Sequence, residues 1–313
     1  MAILQFKPIY KKKIWGGDRI KLLYSKQESQ EISQVGEVWE LVDREEELSV
    51  LEYPYGSMHN LHELWINKKK EIFGKKSPSA SRFPLIVKIL DCQLPTSIQV
   101  HPDAEAAKSF GWEKKTEFWF FLDVYPGSFV YLGFKEQIFA DQLAEIIGKK
   151  EIIAYINKIP TLRSHGLLVR SGQIHAIGGG NLILEIQENS DTTFRIYDWE
   201  RKNKEGLSRP IHNKEAMLSL SLFPYSPKLL SPEEIFILEN NFAVKRIELG
   251  FEQASFHPMH GDSFMYLFVC EGKIRIEKNL YKKGQGILVS ANHGPLKIIG
   301  KEKKNEIITV AFP

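Results

Sequence analysis

The sequence predicts a mainly β protein, an all-β sandwich or barrel with a small helical insertion, followed by a second, smaller β unit. Three observations predict this. Short apolar runs follow one another closely, with Gly and Pro between them. One stretch of helical spacing interrupts the runs. The segment Pro224 to Pro232 holds three prolines in nine residues, which neither regular helix nor a central strand tolerates. It divides the chain into units over 1–232 and 233–313.

In order, Phe83 to Leu90 is an apolar run, and Phe118 to Val124 is another, closed by the turn signal Pro126-Gly127. Ser128 to Phe134 follows as a return strand. Lys135 to Ile156 carries Ile138, Phe139, Leu143, Ile146 and Ile147 near helical spacing, which predicts an insertion over about 135–160. Ser57 to Ile72 is a weaker helical stretch. Leu167 to Val169, Gln173 to Ile177 and Leu182 to Ile186 are then punctuated by Gly172 and by Gly178-Gly179-Gly180. Past the proline segment, Ser263 to Val269, Gly272 to Glu277 and Gly286 to Ser290 read as strands of the second unit.

Composition narrows the function classes. With 43% hydrophobic residues the chain can bury one large core or two moderate ones. A net charge of +3 gives no argument for nucleic acid as a partner, and the lysine runs at 11–13, 68–70 and 301–304 are short and scattered. No apolar run approaches the roughly 18–20 residues that cross a bilayer. The two cysteines, Cys92 and Cys270, form no Cys-x-x-Cys pair, and no leader precedes the first strand. These features predict a cytoplasmic protein with reduced thiols and no membrane partner.

The most informative segment is Ser97-Ile98-Gln99-Val100-His101-Pro102. Alternation along a strand puts Gln99 and His101 on one face and Val100 on the other. Such a pair suits the inner wall of a barrel as metal ligands, or an exposed polar face. Glu117 opens an apolar strand, where a carboxylate either faces water or is buried with a partner. His175 lies in an apolar, Gly-flanked strand, as a hydrogen-bonded core residue or as a ligand. Taken together, two imidazoles, a carboxylate and an amide oxygen make a plausible Zn²⁺ site. Fe²⁺, Mn²⁺ or Co²⁺ fit the same donors. One carboxylate against a divalent ion leaves net positive charge and a good Lewis acid.

A second segment runs from Leu184 to Trp199. Glu185 and Gln187 share one strand face, and Leu184 and Ile186 the other. Asn189-Ser190-Asp191 has the composition of a turn. Arg195 follows among aromatics, as half of a surface salt bridge or as a cation for phosphate or a developing oxyanion.

These segments resemble type I mannose-6-phosphate isomerases in their shorter bacterial form. The resemblance runs from Trp15 to about Arg201. It includes Ile14-Trp15-Gly16-Gly17, Gly36-Glu37-Val38-Trp39-Glu40, Phe83-Pro84-Leu85-Ile86-Val87-Lys88, Gln99-Val100-His101-Pro102, Lys115-Thr116-Glu117, Gly172-Gln173-Ile174-His175-Ala176 and Gln187 to Trp199. It implies a cupin (jelly-roll) barrel holding one Zn²⁺ per chain on Gln99, His101, Glu117 and His175. It also implies active-site roles for Lys88, Lys115, Arg195 and Asp191, and a phosphate contact for Ser97. Longer members carry His and Pro around the lysine before the glutamate; Lys114 and Thr116 stand there in this chain, so a role of that histidine does not transfer. His257 and His260 lack companion ligands, so the C-terminal unit is expected to be cupin-like and metal-free.

The implied reaction interconverts mannose 6-phosphate and fructose 6-phosphate, as monomer or homodimer, by moving a proton between C2 and C1 through an enediolate. Acid–base work is expected of Lys88, Asp191 and metal-bound water; Lys115, Ser97 and Arg195 bind phosphate or enediolate oxygens. Lys88 lies in an apolar run, where desolvation lowers a lysine pKa. Other classes remain in view: an Fe²⁺ cupin oxygenase, a non-catalytic sugar-phosphate-binding protein, and an isomerase of a related aldose phosphate.

Overall fold

Four sheets of four or more strands make up the described residues, and strand alternation decides what lies between them. The computed structural model describes residues 2–24, 34–203, 205–257 and 259–313. A six-stranded sheet is built, in order, from Gly166–Val169, Glu117–Val124, Asn181–Glu188, Leu85–Cys92, Ile9–Gly17 and Val35–Leu41. A five-stranded sheet has the order Ile156–Pro160, Phe129–Phe134, His175–Ile177, Ile98–Val100, Phe194–Tyr197. Adjacent strands pair antiparallel in both. The expected runs thus become strands, and the two sheets enclose Leu90, Trp119, Phe121, Val130, Leu132 and Ile183 as a shared core. This is the expected mainly β, cupin-type architecture.

Period-2 alternation sorts each central strand. Phe118, Phe120, Leu182, Leu184, Val87 and Ile89 point away from the barrel into a second core. Their neighbours Glu117, Trp119, Glu185 and Lys88 therefore face the barrel interior. A one-residue slip in any strand would exchange the two sets.

The outward core is shared with the C-terminal unit. Trp65, Phe73 and Phe83 pack there against Phe264 and Phe312 at centroid separations of 5.5–6.1 Å. The C-terminal unit is a sandwich of a six-stranded and a four-stranded sheet. Ile247, Val269, Ile274, Ile287 and Ile298 fill its interior. Its larger sheet is completed from the other end of the chain, because Ile3–Leu4 pairs with Leu288 and Val289. Among the described residues no helix is long and apolar enough to cross a membrane.

The helical insertion is shorter and more broken than its sequence spacing predicts. Lys135 to Ile156 becomes a helix at Ala140–Ile146 and a 3-10 turn at Lys150–Tyr155. Gly148, at φ +77°, divides them in the left-handed region. Ile138, Leu143, Ile146 and Ile147 pack on the outer face of the five-stranded sheet. Phe139 caps the helix instead and is 62% exposed. The weaker stretch 57–72 yields a helix at Leu61–Asn67, capped by the Asn60 side chain accepting from the Glu63 N–H, then a π turn at Lys69–Phe73. The proline segment forms no regular element of its own but lies along the barrel: the Tyr225 N–H donates to the Phe134 carbonyl and the Leu230 N–H to that of Gly166. Gly133 permits this approach, since a Cβ there would sit 2.5 Å from Tyr225.

Candidate metal centre

Three strands bring the expected ligands together. Gln99 lies opposite His175 in the five-stranded sheet, His101 follows the Ile98–Val100 strand, and Glu117 opens its strand in the facing sheet. One donor atom from each of His101, Glu117 and His175 lies within 4.8 Å of the others, and all three residues are buried. Sequence alone left Glu117 between water and burial; the barrel interior settles it as buried.

The surroundings fix which atoms are offered. His101 Nδ1 donates to the Thr192 carbonyl at 2.8 Å, and His175 Nδ1 to the Gln173 carbonyl at 2.9 Å. Both rings therefore carry the proton on Nδ1 and turn a bare Nε2 inward. Burial, then the neighbouring His101, holds the His175 imidazole down at about 3. Burial, then the Lys115 charge, lowers His101. Both rings are thus neutral at neutral pH, as metal ligation requires. Burial works against the Glu117 charge, but the Lys115 charge outweighs it and this carboxyl is held well below its ordinary range.

Buried His101 Nε2, without a hydrogen-bond partner, faces Glu117 Oε1 at 3.0 Å. Two acceptors this close are repulsive unless a cation stands beside them. Lys115 Nζ, 2.5 Å from Glu117 Oε1, supplies one positive charge, and a divalent ion is the natural complement of the rest. The Gln99 amide turns its Nε2 to His175 Nε2 at 3.2 Å, and its Oε1 accepts from Ser97 Oγ at 3.3 Å. A half-turn of the amide offers the oxygen instead, so the donor set fits zinc or a similar divalent ion.

A cavity of about 270 Å³ opens above these atoms. Every other expected site residue lines it: Lys88, Ser97, Lys115, Asp191 and Arg195. Burial lowers the Lys88 pKa, with Glu37 opposing and Lys115 adding to the fall. Its Nζ stands 4.3 Å from the centre of the Trp39 ring. Asp191 is exposed. Arg195 donates through Nη1 to the Pro210 carbonyl at 2.7 Å and leaves its Nε without a partner. Among the described residues no carboxylate lies within ion-pair distance of it, whereas neighbouring Arg201 and Arg209 both hold Asp198. Arg195 is thus the guanidinium left available to an anion.

The cavity also contains residues that sequence reasoning did not assign: Lys13, Glu37, Trp119, Glu185, Thr193 and Arg209. Strand parity offered a signal for Glu185, which shares the face of Gln187. Trp39, Lys88, Glu185 and Trp119 stand directly opposite one another in turn, forming one rung across four strands. Burial, then the Glu117 charge, pushes the Glu185 carboxyl up to about 7.

Comparison with known proteins agrees with this geometry. Residues 3–118 match the family model for phosphomannose isomerase type I, catalytic domain. The chain is 30% identical over 312 residues to mannose-6-phosphate isomerase ManA of Bacillus subtilis (strain 168), covering 95% of this chain and 96% of that protein. The crystal structure of the mannose 6-phosphate isomerase from Bacillus subtilis superposes with a TM-score of 0.83 at 24% identity, over 99% of each chain. A zinc-bound mannose 6-phosphate isomerase shares the fold at a TM-score of 0.75 and 16% identity, over 100% of each chain. With its ligand strands, its buried donor atoms and its full-length likeness in agreement, the chain belongs to the type I mannose-6-phosphate isomerase family.

Proposed function

We propose that this chain interconverts D-mannose 6-phosphate and D-fructose 6-phosphate, with one zinc ion held by Gln99, His101, Glu117 and His175. The observation that carries the reading is the cluster of bare, buried donors under a cavity lined by Lys88, Lys115 and an anion-ready Arg195. When bound, the ion supplies a positive charge against the negative charge that develops on the substrate oxygens.

The side chains do the rest. Lys88, desolvated and with a lowered pKa, is suited to take the C2 proton and return it at C1. Asp191, exposed at the cavity edge, shares proton traffic with solvent. Arg195 and Ser97 bind the phosphate end. Lys115 stays charged, because Glu117 and Glu185 outweigh its burial, and offers that charge to the enediolate oxygens. In this reading 1–232 is the catalytic unit and 233–313 a metal-free companion, and the protein works in the cytosol on a small hexose phosphate, as monomer or homodimer.

The test is conversion of mannose 6-phosphate to fructose 6-phosphate by purified protein, before chelation, after it, and with zinc restored. Activity that chelation abolishes and zinc returns is the expected outcome. A metal-loaded protein that binds hexose phosphate without turnover would sink the reading.

A further inference from the structure

Glu-x-Trp occurs twice beside the cavity, as Glu37-Val38-Trp39 and Glu117-Phe118-Trp119, with Glu37, Glu117 and Trp119 on its wall. In both, alternation puts the carboxylate and the indole on one strand face. In both, the indole N–H turns back onto that carboxylate, at 2.7 Å from Trp39 to Glu37 Oε2 and 2.9 Å from Trp119 to Glu117 Oε2. The second indole differs in its reach. Trp119 also donates to Glu185 Oε2 at 3.1 Å, across the strand pair in which the two residues are directly opposed. Its ring meets His175 edge to face, with centroids 5.7 Å apart.

One side chain, 1% exposed, thereby touches two of the three clustered ligands and the buried carboxyl beside them. Its effect on Glu117 is directional. The indole N–H occupies Oε2, so Oε1 is the oxygen turned to His101 Nε2 and Lys115 Nζ. Without that N–H, either oxygen could turn to the ion, and two buried carboxylate oxygens would lose their shared donor. A phenyl ring in this position would fill much of the space and restore neither constraint.

We propose that Trp119 is a positioning residue of the metal centre, whose N–H selects Glu117 Oε1 as the oxygen presented to the ion and ties Glu185 to the same donor. This rests on the metal-site reading above. The test compares the parent protein with Trp119→Phe and with a variant carrying β-(3-benzothienyl)alanine at 119, which keeps the fused ring and lacks only the N–H. Zinc affinity is measured by competition with a chromogenic chelator. Loss of an outer hydrogen bond of this kind is expected to weaken zinc binding about 10- to 100-fold in both variants. Tryptophan fluorinated at ring carbon 5, which keeps the N–H, should restore it. The metal-free benzothienyl protein should still fold cooperatively, with its thermal midpoint lowered by the hydrogen bonds that two buried carboxylate oxygens lose. Zinc affinity in the benzothienyl variant within about twofold of the parent overturns the proposal and leaves the functional reading standing. If Trp119→Phe does not fold, the benzothienyl variant decides alone. A parent protein that binds no zinc would remove the functional reading and this inference with it.

Discussion

Lys88 and Glu185 stand directly opposite each other on neighbouring strands at the centre of the cavity wall. Burial drives both toward their neutral forms, lowering the lysine and raising the carboxyl to about 7, while each charge favours the other's ionisation. The two groups on this rung are therefore closer in proton affinity than a free lysine and a free carboxyl. A lowered lysine pKa is what lets such a side chain accept and return a proton in a single turnover.

Lys88→Arg keeps the positive charge and abolishes the neutral form, because a guanidinium does not release its proton in this range. Turnover should fall about 10²- to 10⁴-fold, the usual worth of a positioned acid–base group. Zinc content should stay near that of the parent. Steady-state assay beside metal analysis checks both, and turnover close to the parent's would remove Lys88 from proton transfer.

Arg195→Ala takes away the guanidinium that has no carboxylate partner. A loss of about 10²- to 10³-fold in kcat/KM is expected, as for removal of one stabilising donor in an anion site. No metal ligand is touched, so zinc content is unchanged. Activity surviving nearly intact would show that the anion binds elsewhere.

The pH dependence of stability follows from two opposed groups. Folded His175 titrates at about 3, below its ordinary 6.5, so the unfolded chain takes up this proton first. The stability it contributes is complete above pH 6.5 and is lost as pH falls toward 3. Glu185 is the reverse, at about 7 folded against an ordinary 4.5. Its contribution is complete below pH 4.5 and is lost as pH rises through 7. Glu185→Gln removes the second effect and exposes the first. In urea titrations with chelator present, the variant should lose about 2 kcal/mol more than the parent between pH 7 and pH 5. Parallel pH curves would show that Glu185 is ionised throughout.

Phe264→Ala tests the seam between the two β units. Phe264 is buried against Phe73, Phe83 and Phe312, so its ring joins residues far apart in sequence. Truncation should cost about 3–5 kcal/mol in denaturant unfolding. A second, separate transition appearing in the variant would show that the seam is what makes the two units unfold together.

The clustering of the proposed ligands was legible because each carries its own local signal. Gln99 and His101 sit two apart in a strand that a proline ends, and Glu117 and His175 are polar residues in apolar runs. The rung was not legible in the same way. Trp39 meets Lys88, and Glu185 meets Trp119, through strand registers between segments tens of residues apart, which no spacing within either segment encodes. Local propensity also misjudged the insertion: Lys135 to Ile156 has helical spacing throughout, but Gly148 breaks it where the chain must turn back onto the five-stranded sheet. Lys115 was expected at the site from the family resemblance, but not as the ion-pair partner of Glu117, since that contact depends on the barrel interior around both.

The pairing of Ile3–Leu4 with Leu288 and Val289 has a consequence for biosynthesis. The earlier of these two strands must wait for the later one to be made. At a ribosomal pace of about 5–20 residues per second, the intervening chain takes roughly 15–60 s to appear. Through that interval the other strands of the larger C-terminal sheet are still unmade, and the short apolar strand at Ile3–Leu4 remains without its partner. The late arrival of residue 289 then fastens the start of the chain to its far end, so the finished molecule closes in an order opposite to the one in which it was made.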